Sequence, residues 1–230
     1  MNHSLYMRYF IFSLMMLLTI IFAVQVIVFD QAYLYGENEL MEDIQLGILL
    51  AVAIVFFRLI GEKSWSIVEH SAPSLMLLTN LGAALSISFI IREMSCKDTE
   101  VDWLIFFVDG QGYKLLMLLI WVPLLLKAFK FKHEYISIVK KSILSSTALF
   151  LMAAVVCLAF SALFDKEIIV VEYFRFYEEI AEINGYCFML LASMSFRKDM
   201  TLAVCRDAKA ALESMSSTQE SSIVATESRA

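Results

Sequence analysis

Three glutamates, Glu178, Glu179 and Glu182, fall within FYEEIAEING at residues 176–185, directly ahead of the apolar run YCFMLLASMSF. Carboxylates are costly where a chain enters hydrocarbon, so whatever surrounds them decides their chemistry. A second acidic group, Glu39, Glu42 and Asp43 in ENELMEDI, opens another apolar run, and Asp165 closes a third in LFD. The counterpart in charge is Arg92, followed by Glu93. Arg92 ends a small and polar series, Asn80, Ala84, Ser88, Arg92, spaced by four and therefore on one helix face.

Three kinds of chemistry suit such a set. Arg92 and the carboxylates can form an ion-pair network that ties helices together, since polar contacts within membranes are modest glue. Acids facing a hydrated cavity acquire raised pKa values and can pass protons or a solute. A hard divalent cation, Ca²⁺, Mg²⁺ or Mn²⁺, would take Asp43, Glu178 and Glu182 as oxygen ligands, which makes a metal-dependent membrane-embedded enzyme the alternative function. Zinc or di-iron chemistry usually recruits imidazole, and His3, His70 and His133 all map to the opposite side of the membrane. The sequence has no G-x-x-x-x-G-K-[ST], G-x-S-x-G, H-E-x-x-H or C-x-x-C, so nucleotide-hydrolysing, serine-hydrolase, zincin and dithiol mechanisms lack their signatures. No cofactor is called for beyond that cation.

The elements that must position these residues are read from hydropathy. Hydrophobic residues make up 60% of the chain, above the roughly 45–50% usual for soluble domains. They concentrate in six runs, Tyr9–Phe29, Ile44–Ile60, Pro73–Ile91, Tyr113–Phe129, Ile143–Phe164 and Ile180–Phe196. A helix needs about 20 mostly apolar residues to span a bilayer. The fold class expected is therefore an all-α membrane protein, a six-transmembrane-helix bundle with short loops over residues 1–196. Residues 197–230, ending SSTQESSIVATESRA, have the composition of a largely disordered tail.

Depth follows from the helical rise of 1.5 Å per residue. Arg92 stands roughly 29 Å from Pro73, about one hydrocarbon thickness, while Glu182 stands only about 21 Å from Phe196 and Asp43 about 21 Å from Phe57. Those acids then lie one or two turns below the outer surface. Small residues continue both acidic faces, Gly47 and Ala51 from Glu39 and Asp43, and Gly185 from Glu178 and Glu182, which predicts that both faces look into the bundle. The face Cys157, Ser161, Asp165 of the fifth run should join them. The expected polar cluster is thus Glu39, Glu42, Asp43, Arg92, Glu93, Asp165, Glu178, Glu179 and Glu182.

Charge sets the orientation. Thirteen of the eighteen Lys and Arg fall on one side of the six-span arrangement, five of them in KAFKFKHEYISIVKK, so the positive-inside rule puts both termini in the cytoplasm, and compactness with short loops makes a bacterial inner membrane the expected home. The lysines of the 127–141 loop are expected to meet anionic lipid headgroups. Sixteen of the twenty-four acids lie on the other side, which argues against nucleic acid as a partner. Four cysteines are scattered among a loop, two spans and the tail, so reduced, packed thiols are the expectation. WLIFFVDGQGY is too short an apolar run to cross, and reads as an interfacial segment turned into the fourth span by DGQG, or else as one long helix through the glycines.

Overall fold

In hydrocarbon a backbone must satisfy its own polar groups, so apolar runs of this length have helix as their available form. The computed structural model describes residues 3–35, 40–61, 73–94, 102–108 and 110–227. In chain order these form α1 (His3–Ile27), a 3₁₀ turn (Ala32–Leu34), α2 (Leu40–Gly61), α3 (Pro73–Glu93), α4 (Asp102–Val108), α5 (Gly112–Lys130), α6 (Lys132–Ser142), α7 (Ser146–Asp165) and α8 (Phe174–Glu227). Among the described residues there is no strand. Glu39, His70 and Cys96 lie outside them.

Among the described residues five stretches are long and apolar enough to cross a membrane: Leu5–Ile27, Leu40–Gly61, Met76–Glu93, Gly112–Lys130 and Ser146–Asp165. The sixth run, Ile180–Phe196, belongs to α8, where Glu182, Asn184, Ser193 and Ser195 dilute its apolar character.

That helix is nonetheless the centre of the bundle. It packs most extensively on α7 and also on α2 and α1. Between Phe176 and Met200 most of its positions are buried, on every side of the helix. A helix surrounded this way can carry polar groups only if each finds a partner. Ser193 and Ser195 do so within the helix, their hydroxyls donating to the carbonyls of Leu190 and Leu191 at 2.8 Å each. One core cluster joins Leu49, Val52 and Phe56 of α2 to Tyr186, Met189 and Phe196 of α8. Phe56 and Phe196 meet there edge-to-face at 5.8 Å. A second cluster seats Met15, Phe22 and Val26 of α1 against Phe176, Ile183 and Cys187.

α8 spans 54 residues, roughly 80 Å of helix, against a hydrocarbon core of about 30 Å. Its backbone stays helical to Glu227, where composition predicts disorder from Arg197 onward. Continuing a helix that packing has already nucleated avoids the costly first turn, so even a polar extension has helix within reach.

Local signals set the other boundaries. α3 begins at Pro73, a residue suited to the first helical position. At the start of α7, the Ser145 hydroxyl accepts from Ala148 N at 3.2 Å, and Asp199 Oδ2 on α8 accepts from Thr147 N and Oγ1, both at 2.8 Å. Between α4 and α5 the chain turns so tightly that a Cβ on Gly110 would meet the Phe106 carbonyl oxygen at 2.8 Å, and one on Gly112 would meet the Phe106 ring at 2.7 Å. Two separate helices result, as the DGQG turn predicts. Cys157 and Cys187 are free thiols.

Candidate functional site

The polar groups gather where the C-terminal end of α3 meets α7 and the first turns of α8. Arg92 is half-exposed and ion-paired through Nη2 to Glu182 Oε1; its Nε lies 3.3 Å from Glu93 Oε1. The same Glu182 oxygen accepts from Ser161 of α7 at 2.9 Å. Glu93 in turn accepts from the hydroxyl of the fully buried Tyr186 at 2.7 Å. Three helices are therefore joined at one carboxylate, and α3 and α8 are joined a second time a turn deeper.

α2 contributes a residue that charge patterning does not single out. Gln45 is fully buried and donates through Nε2 to Glu179 Oε2 at 2.7 Å. Its Oε1 is also buried and takes no hydrogen bond among the described residues. The signal was available in periodicity: Gln45 stands four residues from both Met41 and Leu49 on the buried face of α2.

That face corrects the expectation for α2. Asp43 is exposed, and so is Gly47, whose Cβ position has nothing within 4 Å. Two residues of helix rotate a face by about 200°, and the burial follows Met41, Gln45, Leu49, Val52 and Phe56. Bulky side chains dominate this contact, and Gly47 faces outward. On α8 the small residue does face inward, because a Cβ on buried Gly185 would meet Leu158 at 2.9 Å and the Ala154 carbonyl at 3.4 Å. Asp165 is exposed at the last position of α7, one turn beyond Ser161, which is buried. The structure thus brings together Arg92, Glu93, Glu179 and Glu182, with Glu42 and Glu178 partly buried beside them. It leaves Asp43 and Asp165 at the surface.

Among the described residues no three His, Cys, Asp or Glu are grouped as a metal ion would need. Asp43, Glu178 and Glu182 are not gathered as a ligand set, and Glu182 is engaged by Arg92.

The carboxylates outnumber the cations, and the two glutamates ahead of Ile180 register it. Burial, then the negative charges of Glu182 and Asp165, push Glu178 up to about 7. Burial, then Glu182 and Glu42, push Glu179 up to about 8. Glu179 has a neutral amide as its hydrogen-bond donor, which favours its charged form less than a cation would.

Ser88, on the same stripe of α3, serves another helix. Trp121 of α5 donates to Ser88 Oγ at 2.9 Å. Below the polar groups the cavities are apolar. One of about 300 Å³ lies among α2, α3, α5, α7 and α8, and one of about 360 Å³ continues it toward α6.

Comparison with protein-family models, with curated protein sequences and with solved structures finds no match to this chain. Its class, a helical membrane protein, rests on its own apolar helices.

Proposed function

We propose that this chain is a six-span protein of a bacterial inner membrane, with both termini cytoplasmic. In this reading its Arg/carboxylate cluster lies near the extracytoplasmic face and locks the bundle. The orientation is supported by the bias of Lys and Arg toward one side. The lysines of the 127–141 loop then face anionic headgroups. The observation that carries the lock is the single Glu182 oxygen taking both Arg92 of α3 and Ser161 of α7. A divalent-metal enzyme on the same carboxylates finds less support, because Asp43 is exposed and Arg92 already balances Glu182.

A double-mutant cycle tests the lock. Arg92→Ala leaves a buried carboxylate unpaired and should destabilise the purified protein by about 2–3 kcal/mol, below the usual loss for a buried pair because Arg92 is half-exposed. Arg92→Ala with Glu182→Ala should recover at least about 1 kcal/mol of that. Strictly additive losses would remove the lock. Reporter fusions at each terminus test the orientation; activity of an extracytoplasmic reporter at either end would overturn it.

A second reading, proton exchange, is favoured by Gln45 and Glu179 alone. There a buried carboxylate faces a neutral donor beside an unpartnered amide oxygen. Glu179 is raised from 4.5 to about 8. The folded state therefore holds this proton more tightly than the unfolded state. The stabilisation is complete below pH 4.5 and is lost as pH rises through about 8. Thermal unfolding across that window should show a falling melting temperature, flattened in Glu179→Gln. An equal slope in wild type and Glu179→Gln would count against a proton site here.

A further inference from the structure

Beneath the polar cluster, the bundle is open on one flank. α5 packs on α3 and α4. The two apolar cavities share Leu78, Thr147, Leu151 and Phe196, so they form one groove. Its upper end is closed by Trp121 and Met189, and its lower end by Met200 and Ser142. Leu151 and Met152, on its rim, are exposed, so the groove opens sideways to the bilayer. From Met189 to Met200 it runs about 16 Å along α8, half of a hydrocarbon core of about 30 Å. That is the depth of one leaflet.

The lower end carries the charge a lipid would need. α6 lines it with Ile138 and Ser142 and also bears the exposed Lys132 and Lys140; Lys127 and Lys130 end α5. The nearby Asp199 is already taken up by Thr147. Ser142 Oγ is buried at the groove and has no hydrogen-bond partner among the described residues.

We infer that this groove holds one acyl chain of an anionic phospholipid from the lysine-side leaflet, its headgroup lying in the positive field of the lysines that α6 exposes. The lipid would fill the space left between α3 and α7 and complete the bundle on that side. The inference rests on the spanning arrangement proposed above, and its test separates the two.

The full chain carrying Trp65→Phe and Trp103→Phe keeps Trp121 as its single tryptophan. It is reconstituted into phosphatidylcholine vesicles that contain a small fraction of phosphatidylglycerol or phosphatidylcholine brominated at mid-chain. Brominated phosphatidylglycerol should quench Trp121 at about tenfold lower mole fraction than brominated phosphatidylcholine, the order of preference that one or two lysines give at an anionic surface. Lys132→Gln with Lys140→Gln should abolish the preference, and Ala148→Phe, which fills the lower end, should weaken quenching by both lipids. If Ala148→Phe does not fold, the exposed lysine pair still decides. Equal quenching by both lipids, indifferent to the lysines, would overturn the site and leave the spanning arrangement intact. No quenching by either would place Trp121 outside hydrocarbon and overturn both.

Discussion

α8 and α5 invert the familiar relation between apolarity and burial. α5 is almost wholly apolar from Leu115 to Leu126, yet Leu118, Leu119 and Leu126 are all exposed and Gly112 is its one buried residue. α8 carries Glu179, Glu182, Ser193 and Ser195 and buries all four. In water this would be paradoxical. Lipid tails are as apolar as leucine, so a helix gains little by hiding leucines, and association is driven by close packing and by satisfied polar contacts. The helix with most to satisfy takes the centre, and the helix with least takes the rim.

Substitutions can break or sharpen this contrast. The largest effect is expected from Leu191→Ala on α8, where a residue 1% exposed would leave a cavity costing about 2–5 kcal/mol. The same change at Leu119 on α5, 62% exposed, should fall within about 0.5 kcal/mol. Similar losses at the two sites, in equilibrium unfolding in mild detergent, would show that α5 is buried against something in the folded protein.

Next in size comes Gly185→Leu, which forces a side chain between α8 and α7 at a point already within 2.9 Å of Leu158. Overpacking of this kind costs about 1–3 kcal/mol. Gly47→Leu on the open face of α2 is its control and should be nearly silent.

Smaller again is Asp199→Ala, which removes the α8 carboxylate that accepts from Thr147 at the start of α7. Lost caps cost about 1 kcal/mol. No measurable change there would mean that Ser145 alone suffices as the cap.

Much of the cluster was legible because charge in an apolar setting is conspicuous. Arg92, Glu93 and Glu182 stand out in any reading of hydropathy. Gln45 was not conspicuous, since a neutral amide barely disturbs hydropathy and only its register with Met41 and Leu49 marks it as inward. Asp43 faces outward although small residues continue its face, because small residues by themselves do not mark an interface. They mark one where backbones approach closely, as at Gly185, and fail to where Met41, Val52 and Phe56 fill the gap.

The sequence by itself determined that the chain is helical and apolar enough to cross a membrane, and where its charges concentrate, because backbone satisfaction and charge cost act residue by residue. Tertiary structure alone decided which face of each helix turns inward, that Ser161 and Arg92 share one oxygen of Glu182, and that an apolar groove lies between α3 and α7. Those outcomes depend on how side chains of several helices fill a common volume, and no single helix carries that information.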